Sequence, residues 1–213
     1  MSDSRTILID GPAGKIETAV RTHDDPRGVV VIAHPHPLYG GTLHNPVVFH
    51  ADRELNRVGF TTVRFNFRGV GQSEGMHDDG RGEVADVAAV AGWAHAMAPG
   101  KPLVLVGYSF GSRCAVMHAL GDPKVAAVVA IGLPLRIWSF EGLETLRRPF
   151  GVVQGTNDEF GSIEEVEARL AKLEPRGRLY TVAGAPHLFP GRAPEVAELV
   201  IVAVEDGLTT VAV

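Results

Sequence analysis

The chain has 213 residues, 45% of them hydrophobic, and a formal net charge of −5. That length and apolar content suit one folded domain with a sizeable core and exclude a disordered chain. The acidic balance gives no electrostatic reason to expect nucleic acid or an anionic membrane as a partner.

Thr6–Asp10 and Lys15–Arg21 alternate loosely around Gly11-Pro12-Ala13-Gly14, which predicts an antiparallel hairpin at a sheet edge. Val29–Ala33 reads as a buried strand. It runs into His34-Pro35-His36-Pro37-Leu38-Tyr39-Gly40-Gly41-Thr42, a loop stiffened by prolines and opened by glycines. Asn45-Pro46 predicts an N-cap followed by proline at the first helical position, with the helix running to about Val58 and ended by Gly59. Thr61–Phe65 is a strand, Asn66–Gly82 a loop, and about Gly82–Met97 a helix with Val84, Val87, Ala88 and Ala91 along one side. Gly69-Val70-Gly71 lacks the strand–helix setting of a dinucleotide site.

Leu103–Val106 is the next buried strand, and a helical pattern follows from Phe110 to Leu120. Val125–Ile131 and Phe150–Gln154 are further strands, separated by an irregular Gly132–Arg148 that is too short for a separate lid domain. Ser162–Leu173 predicts a helix opened by the capping-box spacing Ser162-Ile163-Glu164-Glu165. Arg178–Val182 is the last strand and Ala193–Asp206 the last helix, with Gly207–Val213 left as a tail. Alternating strands and helices predict an α/β fold, a mostly parallel sheet with helices on both faces. The expected organisation is a single domain over 1–213.

Between Val106 and the helix at Phe110 stands Gly107-Tyr108-Ser109-Phe110-Gly111, a match to G-x-S-x-G in strand–turn–helix context. Such a turn pushes the serine hydroxyl outward, and the glycines let the two backbones pass. A serine hydroxyl is a weak nucleophile at neutral pH. It needs a base, and the base needs an orienting group. Working groups of parallel sheets collect beyond the C-terminal ends of strands. Asp158 follows strand Phe150–Gln154, and His187 follows strand Arg178–Val182, giving the order Ser, Asp, His. Glu159 is a weaker substitute for Asp158.

An oxyanion also needs two fixed N–H donors. Phe110, directly after the serine, supplies one. In the loop after Val29–Ala33, Pro35 and Pro37 have no N–H, which leaves His36, with Leu38 or Tyr39 behind it. Leu38, Tyr39, Trp138, Phe140 and Leu188 are candidates to line a substrate pocket; Trp138 and Phe140 suit the core equally. His34 and His36 have no carboxylate or cysteine at ligand spacing, so no metal is expected, and no organic cofactor. His34 is read as hydrogen-bonded support beneath the site. His77 and the remaining histidines show no chemical partner in the sequence. Cys114 reads as packing.

The stretches Ala33–Pro37, Phe65–Gly75, Gly107–Gly111, Gly155–Asp158 and Gly184–His187 together resemble the α/β-hydrolase superfamily, in collinear order over nearly the whole chain. The likeness is to compact, lid-less bacterial members grouped loosely with dienelactone-hydrolase-like proteins. It implies an eight-stranded sheet whose second strand is antiparallel, and carboxylesterase activity. Dienelactone hydrolases proper carry a cysteine where this chain has Ser109, so their particular reaction is not implied.

The expected function is therefore a serine hydrolase cleaving small carboxylic esters. A thioesterase, acyltransferase or peptidase would use the same three groups, and a non-catalytic scaffold would need none of them. The opening Met-Ser-Asp-Ser-Arg-Thr lacks the layout of a secretion signal, and a lone cysteine suits a reducing compartment, so a cytoplasmic protein is expected. A small-molecule ester is the expected partner, with homo-oligomerisation left open.

Overall fold

The computed structural model describes residues 4–211; Met1–Asp3, in the stretch read for a secretion signal, and the last two residues of the tail lie outside them. Eight strands form one sheet in the order β1-β2-β4-β3-β5-β6-β7-β8. Strands β1 (Arg5–Gly11) and β2 (Gly14–Arg21) make the expected hairpin, and β2 pairs antiparallel with β4 (Thr61–Phe65) as well. From β4 onward all pairings are parallel, through β3 (Val29–Ala33), β5 (Leu103–Tyr108), β6 (Val125–Ile131), β7 (Phe150–Gly155) and β8 (Arg178–Val182).

The central strands are apolar throughout because both of their faces are covered. Val29, Val31 and Ala33 of β3, with Leu103 and Leu105 of β5, belong to one core layer. Helices α2 (Arg81–Ala96), α3 (Phe110–Gly121) and α4 (Ile163–Leu170) close it. Val30 and Ile32 of β3, with Val104, Val106 and Tyr108 of β5, belong to the other layer, under α1 (Pro46–Arg57) and α5 (Ala193–Val211). The two-residue period of a strand thus sorts one continuous apolar run into two cores. Fully burying each valine, leucine or isoleucine among them contributes about 1.5–3 kcal/mol.

Helix starts follow the sequence closely. Asn45 Oδ1 accepts from Val47 N–H at 3.0 Å ahead of Pro46. Ser162 Oγ accepts from Glu165 N–H, and Glu165 Oε2 accepts from Ser162 N–H. Two helix ends differ from expectation. Helix α4 stops at Leu170, short of Leu173. Helix α5 runs through Gly207 to Val211, beyond the expected end at Asp206. The reason for the second lies in packing. A Cβ on Gly207 would stand 3.0 Å from the Cβ of Ala127, so this glycine serves close approach to β6 and not chain reversal.

The sheet order places the site. The chain leaves β3 for its neighbour β4 on one side, then returns to β5 on the other. Loops from adjacent β3 and β5 therefore diverge and open a crevice at their C-terminal ends. The loop His34–Thr42 and the turn at Ser109 flank that crevice. The segment between β6 and β7 is irregular, with one 3-10 turn at Leu143–Thr145.

Candidate active site

Ser109 sits between β5 and α3 with φ 53° and ψ −114°, a left-handed conformation that costs a non-glycine residue about 1–3 kcal/mol. The surroundings hold it there. Its N–H bonds the carbonyl of Ile131 at 2.8 Å, and its own carbonyl accepts from Ser112 and Arg113 N–H. A Cβ on Gly111 would stand 2.5 Å from the carbonyl oxygen of Ala33, so helix α3 can start against β3 only with glycine at that position.

Three residues from three different loops meet. Ser109 Oγ lies 2.8 Å from His187 Nε2. His187 Nδ1 lies 2.8 Å from Asp158 Oδ2. Asp158 is 5% exposed and His187 2%, whereas Ser109 is partly open to solvent. Asp158 is fixed by two further donors, Gln154 Nε2 at 2.9 Å on Oδ2 and Phe160 N–H at 2.9 Å on Oδ1. His187 is set from several directions. Its N–H donates to Glu159 Oε2 at 3.2 Å, its carbonyl accepts from the Tyr108 hydroxyl at 3.0 Å, and the Phe160 ring meets its imidazole edge-on at 4.7 Å. Glu159 therefore holds the histidine's backbone, while Asp158 holds its ring. Burial, with Asp158 and Glu159 nearby, pushes the Tyr108 hydroxyl well above its ordinary range, so it stays a neutral donor.

The loop after β3 forms a short 3-10 turn at Pro37–Tyr39. Within it, His36 Nδ1 accepts from Leu38 N–H at 3.2 Å and the His36 carbonyl accepts from Tyr39 N–H at 3.1 Å. Both fallback donors are thereby engaged. The amides of His36 and Phe110 have no acceptor among the described residues. Their side chains meet, ring to ring, at 4.7 Å. Burial and the nearby His77 lower the His36 pKa, against the opposing pull of Glu83 and Asp79. His34, beneath, is fully buried. Phe67 N–H donates to its Nε2 at 3.0 Å, so Nδ1 carries the proton and donates to the Pro35 carbonyl at 2.6 Å. It ties the loop after β3 to the loop after β4, and burial lowers its pKa to about 4.

The pocket candidates divide. Leu38, Tyr39 and Leu188 are strongly exposed at the rim. Trp138 is partly buried, stacks near His36 at 5.8 Å and meets Phe110 edge-on at 5.6 Å. Phe140 is 2% exposed and lies in the core with Leu143 and Leu146, away from any rim. Cys114 is fully buried, and burial pushes its thiol well above the usual range. Two hollows of about 170 and 390 Å³ lie around Pro149 and Pro175, near the starts of β6, β7 and β8, at the opposite end of the sheet.

Some partners were not legible in the chain. Gln154 stands next to last in the otherwise apolar strand β7, and its amide bridges Asp158, the Gly161 carbonyl and Leu133 N–H. His77, given no partner from sequence, has Nδ1 2.9 Å from the fully buried Glu83, off the line of a good hydrogen bond. The loop carrying Gly69–Gly71 is structural. Arg68 grips Asp86 through Nε and Nη2, and Glu17 accepts from Asn66 Nδ2 and Gln72 N–H.

The fold and this serine-centred site define an α/β serine hydrolase. Residues 26–198 match the α/β-hydrolase-domain family model, and the chain belongs to that family. An uncharacterised protein of Rickettsia prowazekii is 32% identical over 96% of this chain and 89% of its own. A solved α/β serine hydrolase homologue from Coxiella burnetii is 35% identical, with a TM-score of 0.86 over 94% of this chain and 97% of that one. A lid-less α/β serine hydrolase from Xanthomonas campestris is 31% identical, with a TM-score of 0.87 over 97% and 95%. Among the described residues no helix is long and apolar enough to cross a membrane.

Proposed function

We propose that this hydrolase cleaves small carboxylic esters through an acyl-enzyme on Ser109. The observation that carries the reading is the unbroken chain of contacts from Ser109 Oγ through both nitrogens of His187 to Asp158 Oδ2, each 2.8 Å. In the first half-reaction His187 Nε2 takes the hydroxyl proton as Oγ adds to the ester carbonyl. The imidazolium so formed is stabilised by Asp158, itself held by Gln154 and Phe160 N–H. The negative oxygen of the tetrahedral adduct is met by the free amides of Phe110 and His36, with the positive end of α3 behind Phe110. Collapse breaks the carbon–oxygen bond to the leaving alcohol, which takes the proton from Nε2. Water then repeats the sequence on the acyl-serine, returning the proton to Oγ and releasing the acid.

In this reading the protein is a single domain without a lid, and its rim of exposed Leu38, Tyr39 and Leu188 admits short or protruding acyl groups. Ser109→Ala is expected to abolish labelling by a fluorophosphonate and to lower kcat on 4-nitrophenyl acetate by roughly 10⁶-fold. Wild-type turnover by that variant would overturn the proposal. Wild-type protein that takes the label but turns over only thioesters would move the reading to a thioesterase using the same groups.

A further inference from the structure

Arg113 stands at the fourth helical position after the Ser109 cap, and its N–H donates to the Ser109 carbonyl at 3.3 Å. A cation there opposes the helix dipole, which favours negative charge at this end. Arg21, Arg64 and Arg68, also withdrawn from solvent, all lie on carboxylates of Asp52 or Asp86. Among the described residues Arg113 has no carboxylate partner, and its Nε is buried without a hydrogen-bond acceptor. The buried Glu83 does not supply one. Its oxygens accept from the amides of Asp78 and Gly80 and face His77. What holds the guanidinium is apolar. Its carbon lies 5.5 Å from the Trp138 ring, and one terminal nitrogen occupies the space where Gly80 lacks a side chain.

The position of that cation is informative. Trp138 packs on Phe110 and His36, the two residues whose amides face the reacting carbonyl in the proposed mechanism. Arg113 thus flanks the donor side of the site. The carboxylates of Asp158 and Glu159 lie on the other side, around His187. A departure from both helix-dipole and ion-pair rules, next to a nucleophile, is the pattern of a functional position. A guanidinium offers paired N–H donors matched to a carboxylate.

We propose that Arg113 selects esters whose acyl part carries a terminal carboxylate. The inference rests on Ser109 being the nucleophile. The probes are 4-nitrophenyl half-esters of succinic, glutaric and adipic acids, compared with neutral 4-nitrophenyl butyrate. Wild-type protein is expected to prefer at least one half-ester by tenfold or more in kcat/KM, and to lose that preference as salt rises from about 50 to 500 mM. Arg113→Gln is expected to reduce the charged-to-neutral ratio at least tenfold, mainly through KM, and Arg113→Lys to retain part of it. Arg113→Met covers Trp138 without charge and is expected to behave as Arg113→Gln. Arg147→Gln, an exposed arginine at the far end of the sheet, is expected to leave the ratio in place. A ratio that is the same in wild type and all three Arg113 variants would overturn the proposal while leaving the hydrolase reading intact. If wild type turned over no ester of either kind and Ser109 took no fluorophosphonate, the hydrolase reading itself would fall, and this one with it.

Discussion

Replacing His34 with glutamine tests how a neutral histidine supports the loop after β3. The imidazole is buried, and in the fold its pKa is lowered by burial to about 4. In an unfolded chain it returns to about 6.5. Between those values the unfolded chain binds a proton that the folded chain refuses. The stability associated with His34 is therefore complete above pH 6.5, falls as pH drops, and is gone near pH 4. At about 1.4 kcal/mol per pKa unit, the loss over that window is about 3 kcal/mol. His36 and His118 are also lowered by burial and act in the same direction. Glu17, Glu54 and Glu159, with lowered pKa values, add losses at the acid end. All of these cancel in the difference between wild type and His34→Gln. Urea unfolding followed by the fluorescence of Trp93 and Trp138 at several pH values between 8 and 4 gives that difference. The variant is expected to be about 1–3 kcal/mol less stable at pH 8, because Phe67 N–H and the Pro35 carbonyl lose partners. On acidification the difference should then move by about 3 kcal/mol in the variant's favour, closing or reversing the deficit. Parallel curves for the two proteins, or an imidazole that titrates above pH 6 by NMR, would refute the reasoning.

Asp158→Asn presents an amide to His187 Nδ1 in place of an acceptor. The histidine is then driven into the tautomer that cannot take the serine proton, and kcat on 4-nitrophenyl acetate is expected to fall about 10⁴-fold with KM little changed; a fall below tenfold would remove Asp158 from the orienting role. Asp52 is fully buried, with Arg21 and Arg64 on Oδ2 and the Thr62 hydroxyl on Oδ1 at 2.6 Å. Asp52→Ala leaves two arginines without their carboxylate and is expected to cost about 3–5 kcal/mol in urea unfolding at pH 7, a loss that unfolding at unchanged midpoint would contradict.

Local chemistry made much of this protein readable from its residues. The glycines at 107 and 111 and the apolar strand before them need only neighbouring backbone to define the turn at Ser109. The prolines at 35 and 37 remove their own N–H whatever the fold, which leaves His36, with Leu38 or Tyr39 behind it. The two-residue and helical periods set the α/β alternation, and the caps at Asn45 and Ser162 are contacts a few residues long. Tertiary structure decided what depends on partners distant in the chain. Gln154 ties Asp158 to Leu133 N–H, 21 residues back in the chain, only because the segments after β6 and β7 meet. Phe140 belongs to the core because the segment after β6 turns inward, although its sequence suited a pocket equally. Gly207 continues a helix because its lack of a side chain admits Ala127. Arg113 meets Trp138 and Gly80, from two other loops, only in the folded chain, where it has no carboxylate partner among the described residues. A single side chain's pattern in sequence carries its backbone preferences, whereas its charge partners and burial are properties of the assembled crevice.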